Sequence, residues 1–591
     1  MSGNRRDEAF TEAQPGGVLN SENILVWWPT LSCHGEGNSH VERQFWRVRC
    51  DPHGVEDHRH GWKLSSRKPR DPGAIRFSHG SGSVGGGHNP DTHVAGESHS
   101  SIVPEKPTNK GRVPRPAELA EGRELTKENP EQSLLDRTQR RNSDGTPFVA
   151  RSRGLLGVRE AARRDKRLKF TGLLHHITPE LLRASFLALK KQVAAGVDGE
   201  TWGDYAVDFE QRIEDLHDRI HRGAYRAKPS KRTYIPKPDG RMRPLGIAAL
   251  EDKIVQQAAR TVLECIYEQD FLGFSYGFRP GRGCHQALDA LFVGITKRKV
   301  NWIIDADIGG FFDTISHQWL MKFLEHRIAD IRMLRLLKKW LRAGVSQDGE
   351  WFPTKVGTPQ GAVISPLYAN VFLHYVLDLW IHDWRTRHAK GEVTIVRYAD
   401  DFVIGFREES DARKCLAALG ERFAKFGLAL HPEKTRLIEF GRYAEERRAK
   451  RGDGPPETFD FLGFTHISGK TRRGDFTIHR KTSRKKFQAK LAELKETISR
   501  RRHDDLATVG EWLQSVFRGW CQYYAVPGNY TRLRQFRDAI QVTWLRTLRR
   551  RSQRGRRLTW GKFSKLCKRW LPTPMILHPY PNVRFAGQHP W

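Results

Sequence analysis

An Asp-Asp pair lies between two apolar runs in Val396-Arg-Tyr-Ala-Asp-Asp-Phe-Val-Ile-Gly405. Both runs are rich in β-branched and aromatic residues, so the segment reads as two strands with the acids at a hairpin tip. A chain built this way must bury a sheet and place its acids at the sheet's end. Two readings suit the pair taken alone. Asp is at home in an ordinary β-turn. Alternatively, neighbouring carboxylates beside a core need a cation, and magnesium suits carboxylate oxygens that also meet phosphates.

A second segment tips the balance. Trp302-Ile-Ile-Asp-Ala-Asp-Ile-Gly-Gly-Phe-Phe-Asp313 reads as an apolar strand ending in Asp307, with Asp305 on the same face. Carboxylates from two such strands would hold two Mg²⁺ ions about 4 Å apart and clamp an in-line phosphoryl displacement. Around these segments, between 230 and 470, short β-rich runs alternate with helices. The expected strands are Thr233–Ile235, Trp302–Ile308, Thr394–Tyr398, Phe402–Phe406 and Leu437–Phe440. The expected helices lie near 251–268, 284–297, 317–327, 331–343, 366–383 and 410–426. This is an α+β pattern with antiparallel elements. Upstream, Thr178-Pro179-Glu180 marks a helix start, and a further amphipathic helix is expected from Tyr205 to His221.

From about 481 the chain turns helical and basic, over roughly 481–502, 507–524, 530–551 and 560–570. Residues 501–570 carry 17 Lys and Arg against 4 Asp and Glu. The whole chain has a formal charge of +33, which suits a polyanionic partner. Its seven cysteines are widely spaced and include no C-x-x-C pair, which argues against a zinc ribbon and a disulfide framework. No apolar run approaches the ~20 residues that cross a bilayer, so no membrane partner is expected. Residues 1–150 are rich in Gly, Ser, His, Pro and Arg without periodicity, and are expected to be a low-complexity, largely disordered segment.

The motifs and their order resemble those of reverse transcriptases. Tyr398-Ala-Asp-Asp401 resembles the family's Y-x-D-D signature, and Asp307 to His317 its first catalytic strand. The resemblance implies metal ligation by Asp307, Asp400 and Asp401 with the backbone carbonyl of Ile308, and a steric gate at Phe312. Ile235 to Gly246 resembles the fingers strand pair, which implies nucleotide-phosphate contacts from Lys237 and Arg243. Phe274 to Gly283 is similar to the next block, with Arg279 and Arg282 as candidates for template phosphate. Gly357 to Pro366 matches the loop whose glutamine, Gln360, packs on the nucleotide. Lys434 is implied near the primer or nucleotide, and Leu462 with Gly463 as the primer grip.

Two further stretches resemble group II intron-encoded proteins, the bacterial reverse transcriptase and maturase type: Arg167 to Thr201, and the aromatic, basic Phe517-Arg-Gly-Trp-Cys-Gln-Tyr-Tyr524 with Phe536 and Trp544. The resemblance implies a right-hand polymerase, with fingers and palm over 157–470. It also implies a helical thumb and maturase domain over 475–572, followed by a short tail over 573–591. It implies RNA-directed DNA polymerisation with two Mg²⁺, intron RNA as a splicing partner, and dNTPs, primer and DNA target as substrates. The implied location is the bacterial cytosol, with nucleoid association during mobility. Most thumb aromatics are expected to pack, and Arg549, Arg550 and Arg551 to bind RNA. The paired cysteines of an HNH endonuclease are not found, so that domain is not expected. A retron-type, diversity-generating or CRISPR-linked enzyme is the nearest alternative, and a splicing factor without polymerase activity the other. Residues 1–100 are expected to be dispensable. A translation start near Ile102 is preferred to a basic RNA-capturing arm.

Overall fold

The computed structural model describes residues 153–236 and 242–588. The expectations for residues 1–150, and for Lys237, fall outside them. Among the described residues no helix is long and apolar enough to cross a membrane.

The α+β reading agrees with the structure, which places three sheets among helices. The first, in the fingers, has the order β2-β1-β4-β5. Here β1 is Ser230–Pro236, β2 Met242–Ile247, β4 Val345–Gln347 and β5 Glu350–Phe352. The pair β1 and β2 is antiparallel, whereas β4 joins β1 in parallel.

The palm sheet is antiparallel throughout, in the order β6-β7-β3-β8. Its strands are β3 Trp302–Asp307, β6 Val393–Tyr398, β7 Asp401–Phe406 and β8 Arg436–Glu439. Side chains alternate across a strand, and here both faces are covered. Ile304, Phe402, Ile404 and Phe406 enter one core, packed with the helices Leu250–Asp270 and Ser365–Leu373. Ile303, Val396 and Val403 enter a second, shared with the helix Cys284–Lys297 and with thumb helices. Burial on both faces explains why these strands read as nearly continuous apolar runs.

The third sheet, β11-β10-β9, comprises β9 Phe459–Phe461, β10 Phe464–Lys470 and β11 Phe476–Thr482. It leads into the thumb helices Arg484–Arg500, Leu506–Tyr524, Tyr530–Arg549 and Trp560–Trp570. The first of these was expected from about 481. It starts at Arg484, because Ser483 caps it through the Lys486 amide and Thr482 still belongs to β11.

Two further expectations need correction. The helix expected over Tyr205–His221 is two helices, Trp202–Ala206 and Phe209–His221. Thr201 and Asp204 form a capping box that starts the first early, and Phe186 packs against both Trp202 and Phe209. The segment expected as a short tail over 573–591 contains the helix Pro581–Gln588, which packs on Cys284–Lys297. Arg584 pairs with the buried Asp289, which also holds Arg480 at 2.9 Å. His578 lies over His285 at 3.9 Å between ring centres, and the Leu577 and His578 amides donate to the Ala525 carbonyl. These long-range partners have no trace in local periodicity.

Candidate active site

The register of the palm sheet builds the site. Asp307 ends β3 and Asp401 begins β7, and the two are direct cross-strand partners. Asp400 precedes Asp401 in the turn after Tyr398. Ala399 takes a positive φ of 59°, an uncommon conformation for a residue with a side chain. The turn is therefore set by its surroundings. One neighbour is Gly277, where a Cβ would lie 2.3 Å from the Ala399 nitrogen. Only glycine lets the two backbones approach so closely.

The carboxylates repel one another. Burial, followed by the charges of Asp305, Asp400 and Asp307, pushes Asp401 well above the usual carboxylate range. Burial, with Asp307 next among the raising influences, also raises Asp400. Asp305 is pushed up to about 6 by burial, although Arg436 pairs with it at 3.3 Å. Lys434 makes an ion pair with Asp307. Among the described residues, no three His, Cys, Asp or Glu side chains converge as a complete ligand set. The donor set nevertheless fits a hard cation whose remaining positions are filled by phosphate oxygens, since magnesium commonly takes one or two carboxylates plus substrate.

Backbone contacts link several of the other expected residues to neighbouring segments. The Thr358 amide donates to the Phe312 carbonyl at 2.7 Å, and the Gly357 amide to Ile315 at 2.8 Å. The Gln360 carbonyl accepts from the Gly246 amide at 2.7 Å, which ties the glutamine loop to β2 and so to Arg243. Arg243 is exposed, and its charge is felt at Asp400. Phe312 is half-buried, edge-on to Phe311 at 5.4 Å. Ile308 is buried and bridges to Leu430. Leu462 and Gly463 form a turn with positive φ at both residues. The Tyr523 hydroxyl donates to the Leu462 carbonyl at 2.7 Å, and the Ser483 amide to that of Gly463 at 3.0 Å.

The structure corrects the reading of Arg279, and it gives Arg282 and Arg551 carbonyl partners of their own. Arg279 has a side chain only 3% exposed. It pairs with Glu268 and donates to the Leu272 and Ser275 carbonyls, so no donor face is left for template phosphate. Arg282 donates to Gly273 and Ser275 and lies over the Tyr276 ring, so it too braces this loop. Arg551 donates to the His503 and Asp504 carbonyls and fastens two helix ends together. Arg549 donates to Leu558, and both Arg549 and Arg550 are exposed.

Sequence reasoning missed Tyr523 as an anchor of the Leu462 turn, and Asn370 and Asp378 behind the Asp-Asp hairpin. A signal for the last two was present: Arg397 sits inside an apolar strand, and such a charge requires a partner.

Residues 235–466 match the family model described as reverse transcriptase (RNA-dependent DNA polymerase). Protein YkfC of Escherichia coli K12 is 33% identical over 352 residues, 53% of this chain and 87% of that protein. The group II intron-encoded protein LtrA of Lactococcus lactis subsp. cremoris is 28% identical over 462 residues, 64% of this chain and 74% of that one. The chain belongs to the group II intron reverse transcriptase and maturase family. This intron reverse transcriptase is also 27% identical to a putative COX1/OXI3 intron 1 protein of Saccharomyces cerevisiae, over 55% of the chain and 46% of that protein. As a reverse transcriptase it is an RNA-directed DNA polymerase.

Proposed function

We propose that the enzyme copies its intron RNA into DNA, and assists that intron's splicing, with Asp307, Asp400 and Asp401 as ligands for two Mg²⁺ ions. The cross-strand pairing of Asp307 with Asp401, beside Asp400, carries this reading. When bound, such ions stabilise the attacking and leaving oxygens of phosphoryl transfer. The Ile308 carbonyl is a further oxygen at the same strand end. Arg243 and Lys237 bind the phosphates of the incoming dNTP, and Gln360 packs against it. Phe312 lies under the sugar, where its ring excludes a 2′-OH. Lys434, paired with Asp307 here, turns to a substrate phosphate once a cation occupies the carboxylates. Leu462 and Gly463 hold the primer end. Exposed cations of the thumb, Arg549 and Arg550 among them, bind intron RNA through its phosphates.

The test is Asp400→Asn in a primer-extension assay on an RNA template, alongside intron-RNA binding. The expected outcome is loss of DNA synthesis by roughly a thousandfold or more, with RNA affinity within about twofold, because the metal ligands act on the transition state and the distributed cations on affinity. Near-normal synthesis by the folded variant would falsify the catalytic assignment.

A further inference from the structure

Behind the Asp-Asp turn lies a polar assembly that no step of the proposed chemistry uses. Arg397 on β6 and Asp378 both have fully buried side chains. Their pairing is bidentate, Arg397 Nε to Asp378 Oδ1 at 2.7 Å and Nη2 to Oδ2 at 2.5 Å. Arg397 Nη1 also donates to the Asn370 side-chain oxygen at 3.1 Å and to the Ala399 carbonyl at 2.9 Å. The Asn370 side-chain nitrogen in turn donates to the Gly277 carbonyl at 2.8 Å. Gly277 is the residue pressed against Ala399 from outside. The backbone closes the frame, with Arg397 N donating to Phe274 O and Tyr276 N to Arg397 O, both at 2.9 Å.

The helix that supplies two of these groups is adapted to the purpose. Asn370 and Asp378 are eight residues apart, and in a regular α-helix such residues diverge by roughly 80°. Between them, His374–Asp378 forms a π turn. The looser π turn removes most of that divergence, so both side chains reach one guanidinium. An ion pair this deep adds little stability over apolar packing of the same volume. Its geometric effect is specific: it holds the carbonyl of the one residue in the turn that has a positive φ and a Cβ.

We propose that Arg397, oriented by Asp378 and Asn370, is a positioning residue for the polymerase reaction. It fixes the Ala399 turn and thereby the two carboxylates that follow. The proposal rests on the reading of Asp400 and Asp401 as metal ligands, and it touches neither substrate nor metal directly.

Two variants test it, Arg397→Lys and Asn370→Ala. Arg397→Lys keeps the charge opposite Asp378 but cannot serve three acceptors in a plane. Asn370→Ala removes one brace without stranding a charge, and it decides the question if Arg397→Lys fails to fold. The expected result for Asn370→Ala is a fall in kcat of roughly tenfold to hundredfold, with KM for dNTP and intron-RNA affinity near wild type. Two readouts do not depend on activity. Amide hydrogen exchange at Asp400 and Asp401 is expected to accelerate, and Mn²⁺ binding to the complex of protein, primer–template and incoming dNTP, followed by electron paramagnetic resonance, to weaken several-fold. Unchanged exchange at the turn in the folded variant, or a loss of rate that only tracks the folded fraction, overturns the proposal. Near-normal DNA synthesis by the folded Asp400→Asn variant defeats the metal reading instead, and the exchange experiment still judges the brace.

Discussion

Phe312 and Arg279 show how far a single residue can be read from sequence. Phe312 follows β3 in a motif that fixes its neighbours, and the structure places it half-buried by the glutamine loop. Phe312→Ala is expected to let ribonucleotides into the growing strand while dNTP incorporation persists. Competition between dNTP and rNTP on one template measures this, and unchanged sugar selection would remove the gate. Arg279 lies in an equally recognisable motif, yet its guanidinium turns inward to Glu268 and two carbonyls. Residue type and spacing disclose that a cation is present, and only packing decides where it points. Arg279→Ala is therefore expected to lower unfolding free energy by about 3 kcal/mol, the cost of stranding a largely buried partner. Denaturant titration checks this, and template affinity per folded molecule is expected to hold.

Among the elements, the palm strands and most helices were legible, because burial on both faces makes β3, β6 and β7 nearly continuous apolar runs and the helices carry clear apolar stripes. The strands β4, β5 and β9 to β11 were not. They are short or carry polar and charged residues, as in Phe476-Thr-Ile-His-Arg-Lys-Thr482, so alternation is masked and their pairing is settled by neighbours. The Leu462 turn depends on such a neighbour. Its carbonyl is held by the thumb residue Tyr523, 61 residues away in sequence. Tyr523→Phe removes the hydrogen bond to Leu462, about 1 kcal/mol, so KM for primer–template is expected to rise roughly fivefold. Steady-state extension with varied primer–template tests it, and an unchanged KM would show that the turn is rigid without its anchor.

At the scale of the whole molecule, two buried histidines couple the fold to pH. Burial, with the nearby Arg397, pushes His374 down to about 3, and burial with Arg480 does the same to His466. Unfolded, each imidazole takes up a proton near pH 6.5. The unfolded chain therefore binds more protons between about pH 3 and 6.5, and stability falls as pH falls through that window. By pH 5 each ring costs about 2 kcal/mol. Asp252 and Asp270, raised to about 6 by burial, act in the opposite sense between about pH 6 and 4. The histidine contribution is thus best seen as a difference: His466→Phe is expected to flatten the fall in thermal midpoint from pH 6.5 to 5 relative to wild type. Parallel curves for the two proteins would contradict the assignment.

The docking of Pro581–Gln588 on Cys284–Lys297 has a mechanical consequence. The thumb leaves the palm through β11 and returns to it at Asp289, where Arg480 from that outgoing strand and Arg584 from the returning helix share one carboxylate. It behaves as a hoop fastened at both feet, not as a cantilever. A duplex that pushed this region outward would load the Asp289 clasp. Arg584→Ala is expected to shorten the DNA made per binding event by several-fold, while addition of the first nucleotide stays near its normal rate, and single-turnover extension with a trap for released enzyme reads both. The hold on a long template is then expected to depend on a latch far along the chain from Asp400 and Asp401.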